Sequence, residues 1–255
     1  MSEINSFSIY RGQSRTGIGE GLGNSIVHGE QYLKADSPLD KDIEFLKAIR
    51  VWMTLDAEPS DHSELKNQLE SWSYFTYKNY VVVARQISAG EYDRQPAYFA
   101  HGRVWERDKL PNYFNPCLYL GYSDAFEKPW RDDDPGVRVD LTEPVMPVIE
   151  EIKNNQETLT QLTGYLLQAL ERNYPLIIAA PLTEFVSPDT GGRNSLYTLI
   201  SFAYALLPAK RNYECNIRIY TRNPELFLRG IKANLIVIPE DIAAKNITHC
   251  ARTFD

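Results

Sequence analysis

The stretch Tyr98-Phe99-Ala100-His101-Gly102-Arg103-Val104-Trp105 decides how the first half of the chain folds. Aromatic and β-branched residues also dominate the two runs before it, 72–77 and 79–86. Asn79 begins the second of these runs and Gly90 lies between it and residue 98, and both residue types accept the backbone angles of tight turns. The pattern predicts neighbouring antiparallel strands.

The residues that precede these strands predict a hairpin and two helices. Residues 7–33 hold two short strand-like runs around a glycine-rich stretch, which is typical of a hairpin with a glycine-rich tip. Apolar residues recur every three or four positions after Pro38, and they predict an amphipathic helix that runs to about residue 53. A second, shorter helix is predicted from Asp61 to Glu70, with Ser60 as its cap.

The pattern changes in the second half of the chain. Prolines and an acidic run break any period over residues 106–143, so this segment reads as an irregular connection. Beyond it, short apolar runs at 175–180, 215–220 and 234–239 alternate with helical segments. Such alternation predicts right-handed crossovers and a short parallel sheet.

The expected fold class is therefore α+β. We expect an antiparallel strand region with helices over residues 1–140, followed by a small α/β region with a short parallel sheet over 141–255. A chain of 255 residues can also form one continuous domain, and that alternative stays open.

Composition and charge exclude several classes of protein. With 43% hydrophobic and 24% charged residues, the chain has the composition of a folded protein. Its net charge of -7 has the wrong sign for bulk nucleic-acid binding through phosphates. Three cysteines far apart and no long apolar run predict a cytoplasmic protein without membrane insertion.

His101 is the histidine most suggestive of function. Along its strand it alternates with Tyr98, which faces the opposite way. An imidazole could act as a general base near neutral pH, with Cys117, Asp93 or Asp108 as conceivable partners, but no spacing fixes one. A structural or interface role for His101 is the commoner case.

The loop from Pro181 to Asn194 is the best place for a ligand. It leaves the end of an expected parallel strand and enters a helix, which is where open α/β sheets bind ligands. Asp189, Arg193 and Asn194 could present polar groups to an anion there. A connecting loop whose Asn194 or Ser195 caps the helix is the simpler interpretation.

Two other patterns do not support a site. The series Gly17-Ile18-Gly19-Glu20-Gly21-Leu22-Gly23 lacks the following helix that phosphate loops need, and Glu20 would repel a phosphate. His28, His62 and His249 show no zinc-binding spacing. The sequence predicts no cofactor and no metal site.

Two passages resemble the amino-terminal domain of the bacterial GTPase-associated adaptor family, GTPase-associated protein 1. The segment 80–85 continuing to 94–101 is similar to that family's strand pair with the pattern R-x-G-x-Y-F-A-H, although Pro96 replaces the usual glycine. The segments 206–211 and 216–221 are similar to its "L-P-x-x-x-R" and "S-F-x-T-Y" patterns. The family is regarded as adaptors that partner small GTPases in predicted conflict or defence systems, and no catalytic residues carry over.

The leading hypothesis is a non-catalytic interaction module for bacterial defence, with a protein partner such as a small GTPase. Its expected binding face lies around Arg94, Tyr98, His101 and Arg103. The alternative is a nucleotide- or anion-binding enzyme or sensor that uses the loop from Pro181 to Asn194.

Overall fold

Helices pack on a large mixed sheet, so the α+β class is confirmed. The computed structural model describes residues 6–14, 29–65, 68–92, 95–112, 114–129, 154–186, 195–207, 215–230 and 232–246. The strands are Phe7–Ser14 (β1), Gly29–Ala35 (β2), Glu70–Tyr77 (β3), Tyr80–Tyr92 (β4), Gln95–Glu106 (β5), Leu176–Ala180 (β6), Ile217–Ile219 (β7) and Leu235–Pro239 (β8). They form one sheet in the order β2-β1-β5-β4-β3-β7-β8-β6.

The described α-helices are Ile43–Ile49 (α1), Pro59–Glu64 (α2), Gln156–Arg172 (α3), Ser195–Ala205 (α4) and Glu240–Asn246 (α5). Short 3-10 turns occur at Leu39–Lys41, Arg50–Met53, Arg107–Lys109, Pro116–Tyr119, Ser123–Ala125 and Leu182–Phe185, and a π turn at Leu226–Gly230. No helix within these described segments has both the length and the apolar character needed to span a bilayer.

Antiparallel pairing builds one part of the sheet and parallel pairing the other. Strands β2, β1, β5, β4 and β3 pair antiparallel in that order, which includes the expected hairpin of β1 and β2. Strands β7, β8 and β6 pair parallel. The antiparallel contact of β3 with β7 joins the two parts into one sheet. The domain boundary expected near residue 140 lies outside the described residues.

Local sequence signals explain where several helices begin and end. Asp42 accepts a hydrogen bond from the Phe45 amide and so caps α1. The leucine stripe of α3 is buried at Leu159, Leu162 and Leu166, and the helix ends at Asn173 in a left-handed conformation.

The second predicted helix was wrong at both ends. Glu58, not Ser60, caps α2, since Glu58 and Asp61 form a reciprocal capping box with Pro59 in the first turn. The helix ends at Glu64, and Glu70 is the first residue of β3 instead. Glu70 stays out of the helix because its carboxylate is used in the sheet, where it accepts a hydrogen bond from Arg85.

Both sides of the sheet are covered. On the side that carries Ser73 and Arg218, the 3-10 turn with Trp52 lies against Phe75, with stacked rings 4.8 Å apart. We call this the Arg218 side. On the opposite side, which carries Trp72 and His101, α4 supplies Tyr197 and Tyr204 against Trp72 and Tyr74. We call this the His101 side.

Candidate functional site

His101 lies in the middle of a buried row of side chains across the sheet. It pairs with Arg85 on β4 and with Tyr10 on β1, and its ring stacks on that of Tyr10 at 4.6 Å. Its Nδ1 accepts a hydrogen bond of 2.9 Å from the Glu127 amide, so the neutral ring carries its proton on Nε2. Burial, together with Arg103 and Arg85, lowers the pKa of His101 to about 3.

The binding face expected from the sequence is not an exposed face. Tyr98, His101 and Arg103 are only 4%, 1% and 7% exposed. Tyr98 lies on the Arg218 side, whereas His101 and Arg103 lie on the other. The expectation failed because layers cover both sides of the sheet, which a strand pattern alone does not reveal. Arg94 lies outside the described residues.

Of the partners considered for general-base chemistry, Asp108 and Cys117 are described, and each is hydrogen-bonded to another residue. Asp108 accepts a hydrogen bond from Asn79. Cys117 is buried, and its carbonyl accepts a hydrogen bond from Ser201. Asp93 lies outside the described residues. A deeply buried, neutral imidazole in this setting serves packing and hydrogen bonding.

Four neighbouring side chains, His101 among them, each contain a buried polar atom that has no hydrogen-bond partner among the described residues, and we call them the unpartnered set. The atoms are Glu70 Oε2, Trp72 Nε1, His101 Nε2 and Tyr197 Oη. Leaving such a buried group unsatisfied costs about 1–3 kcal/mol each. The sequence pattern did not reveal this set, because Tyr197 and the three strand residues are far apart along the chain and only the sheet pairing brings them together.

A buried ion pair with Arg85 neutralises Glu70, the charged member of the unpartnered set. Arg85 Nε donates to Glu70 Oε1 at 2.9 Å, and the two side chains are 7% and 1% exposed. The guanidinium also lies 5.9 Å from the centre of the Trp72 ring. Burial, with Glu70 and Glu184, raises the pKa of Tyr197 well above its ordinary value, so the phenol stays protonated.

The carboxyl ends of the parallel strands carry a second polar cluster, around Asp61. This buried carboxylate accepts hydrogen bonds from Tyr220 Oη at 2.5 Å and Arg222 Nε at 2.8 Å, and Arg222 also forms an ion pair with Asp241 of α5. Burial alone would raise the pKa of Asp61, but the bonds from Arg222, Tyr220 and the Glu58 amide outweigh it and lower that pKa. The cluster fixes α2 and α5 to the end of β7.

A serine and a histidine also meet at this edge of the sheet. His62 Nδ1 lies 2.8 Å from Ser88 Oγ, which is the contact that a nucleophile and its base make. Both side chains are buried, at 7% and 5% exposed, and the bond links α2 to β4. We therefore assign this pair a structural role.

A cleft of about 320 Å³ opens beside the carboxyl ends of β6 and β8. Its apolar lining comes from α3, β6 and α4, and two glutamates and a threonine complete it. The lining residues are Thr158, Leu162, Ile178, Ala179, Ala180, Pro181, Glu184, Leu196, Leu199 and Glu240. Open α/β sheets bind ligands at such a place, and Pro181 is the first residue of the loop predicted to do so.

The remaining predicted site residues cannot be located. Asp189, Arg193 and Asn194 lie outside the described residues, and so do the glycine series 17–23, His28 and His249. Among the residues that are described, no three histidine, cysteine, aspartate or glutamate side chains come together as a metal site would require.

Comparison with known proteins adds no relative. No family model, no curated protein and no solved structure matches this chain. The resemblance to GTPase-associated adaptors therefore stays a prediction.

Proposed function

We propose that this chain is a non-catalytic adaptor module that holds a protein partner in the cleft beside β6 and β8. The observation that carries the proposal is the cleft itself, which combines an apolar lining with two carboxylates. The family resemblance makes a small GTPase of a bacterial defence system the first partner class to test. In this proposal the cleft takes the place of the binding face expected around Tyr98 and His101, because those residues are buried.

The size and lining of the cleft suit a few side chains of a partner. Its volume of about 320 Å³ lies at the lower end of the range of about 300–1,000 Å³ found for small-molecule pockets. Leu162 and Ile178 are buried at its base, and Leu196 and Leu199 are partly exposed. Apolar side chains inserted there would gain roughly 25 cal/mol for each Å² that they remove from water.

The charge of the cleft favours a basic segment. Glu184 lies on the turn that follows β6, and Glu240 begins α5 directly after β8. The net charge of the whole chain, -7, has the same sign. Lysine or arginine beside the apolar anchor would complement these carboxylates and speed the encounter.

The same charges argue against the alternative function. A nucleotide in this cleft would place phosphates near Glu184 and Glu240, and like charges at close range are unfavourable. The alternative, an anion-binding enzyme or sensor, depends on Asp189, Arg193 and Asn194 of the loop from Pro181 to Asn194. Its distinguishing property is nucleotide binding.

A direct test measures peptide binding to the purified chain by fluorescence polarisation. We expect peptides with paired leucines flanked by lysines to bind at least about tenfold more tightly than matched peptides flanked by glutamates, since only the former complement the cleft. Raising the salt concentration should weaken the binding, because charge attraction between exposed groups is screened.

The double variant Glu184→Gln with Glu240→Gln should bind the lysine peptides at least about fivefold more weakly. Glu171→Gln is the control for each of the two substitutions made singly, since it removes one carboxylate from the exposed far end of α3 and should leave binding unchanged. Equal binding of both peptide sets, or a thermal shift of the unmodified chain with GTP or ATP, would reject the adaptor proposal in favour of the alternative.

A further inference from the structure

The unpartnered set of Glu70, Trp72, His101 and Tyr197 is one contiguous group. Trp72 and His101 both pair with Arg85 across adjacent strands, and Glu70 lies two residues before Trp72 on the same strand face. The Phe126 ring packs edge to face with both Trp72 and His101, with ring centres 4.9 Å and 5.3 Å apart.

Tyr197 of α4 packs over this group on the His101 side of the sheet. Its ring centre lies 6.4 Å from that of Trp72, and the Glu70 carboxylate acts on its hydroxyl electrostatically. The four side chains therefore lie between one patch of the sheet and the layer that covers it. Native proteins leave few buried polar atoms unsatisfied, and each such atom requires an explanation.

The chemistry of the four atoms defines what would satisfy them. Trp72 Nε1 and His101 Nε2 carry protons and can only donate, because Nδ1 of His101 already accepts from Glu127. Glu70 Oε2 can only accept, and the Tyr197 hydroxyl can do both. Arg85 neutralises Glu70, so the four side chains and Arg85 together carry no net charge.

We propose that the unpartnered set binds one small uncharged molecule that both donates and accepts hydrogen bonds. Ordered water and a hydroxyl- or amide-bearing metabolite share this chemistry. The site is separate from the cleft beside β6 and β8, since none of the four side chains lines that cleft. It therefore goes beyond the proposed adaptor function and does not depend on it.

The sign of a stability change tests the proposal. If the Tyr197 hydroxyl bonds a bound molecule, Tyr197→Phe loses a hydrogen bond, and its melting temperature should fall by about 2–4 °C. If the hydroxyl is an orphan, the same change removes a buried polar atom that has no partner, and the melting temperature should rise. A rise would overturn the proposal.

Tyr204→Phe is the matched control. Tyr204 lies on the same helix, is equally buried, and donates a hydrogen bond of 3.0 Å to the Tyr74 hydroxyl. Its removal should lower the melting temperature by a similar amount. The proposal expects the two variants to change in the same direction.

Two measurements on the unmodified chain identify the source of the molecule. An organic compound released in a one-to-one ratio on denaturation, and detected by mass spectrometry, would indicate a metabolite. Without such a compound, NMR cross-peaks between water and the Trp72 indole N–H, assigned with Trp72→Phe, would indicate ordered water. Finding neither would refute the bound molecule even if a variant failed to fold.

Discussion

The two sides of the central sheet treat buried polar groups in opposite ways. On the Arg218 side, the guanidinium of Arg218 is fully buried and donates five hydrogen bonds, all to neutral acceptors. The acceptors are the carbonyls of Trp52, Thr54 and Tyr220, Ser73 Oγ and Gln86 Oε1. On the His101 side, several polar atoms, among them the four of the unpartnered set, have no such partner among the described residues.

This difference shows that a buried charge alone does not indicate a functional site. Burial lowers the pKa of Arg218 to about 10, yet the group stays protonated at neutral pH because its neighbours satisfy it. What distinguishes the His101 side is hydrogen-bonding capacity that the described residues leave unused. We therefore interpret the Arg218 side as a structural core and the His101 side as a binding region.

The largest effect is expected when the satisfied side is disrupted. Arg218→Met removes five hydrogen bonds at once and leaves some of their acceptors without a donor, so the free energy of unfolding should fall by about 4 kcal/mol or more. Chemical denaturation measures the loss. A variant that unfolds at the same denaturant concentration as the unmodified chain would show that the two sides do not differ as described.

A smaller loss is expected from the Asp61 cluster, with a distinctive pH dependence. Asp61→Asn breaks a buried ion pair with Arg222 and should cost about 3 kcal/mol near neutral pH. Because the folded pKa of Asp61 lies below its ordinary value of 3.8, the carboxylate stabilises the fold above about pH 4, and this contribution is lost as the pH falls further.

The deficit of Asp61→Asn should therefore be constant between pH 5 and 8 and should shrink below pH 4. Denaturation curves at several pH values would reveal this. A deficit that already changes between pH 5 and 8 would contradict the lowered pKa.

The smallest of the three effects concerns His101. Its pKa falls from 6.5 to about 3 on folding, so the neutral ring stabilises the fold above pH 6.5, and this stability is lost as the pH drops from 6.5 towards 3. Between pH 7.5 and 5 the loss should be about 2 kcal/mol. His62 adds a loss of the same sign, since burial also lowers its pKa.

His101→Asn provides the check, because the asparagine oxygen can take the place of Nδ1 as acceptor for the Glu127 amide but does not titrate. The variant should lose less stability than the unmodified chain between pH 7.5 and 5. An identical pH dependence in both proteins would mean that His101 is not held neutral in the fold.

Local patterns in the sequence predicted much of the fold. The β-branched run at Val81–Val83 predicted a strand by composition, the leucine stripe of α3 predicted a helix by its period, and both element types are correct. The helix predicted to reach Glu70 failed, because the ion pair of Glu70 with Arg85 on the next strand outweighed local preference.

The candidate sites were harder to predict, since they depend on contacts across the chain. Alternation correctly separated Tyr98 from His101, but nothing local showed that a layer covers each side. The unpartnered set joins β3, β5 and α4, and the cleft joins residues from Thr158 to Glu240. Only the predicted position at the end of a parallel strand pointed to that cleft, through Pro181.

The pairing of β3 with β7 also affects how the chain folds while it is being synthesised. While the ribosome makes the first half, one edge of β3 lacks its partner strand β7. The carbonyls of Trp52 and Thr54 also lack the Arg218 guanidinium, which follows more than 160 residues later in the chain. Newly made amino-terminal fragments would thus present an open strand edge. Truncation before residue 217 should yield insoluble protein, and simultaneous expression of the missing piece should restore solubility.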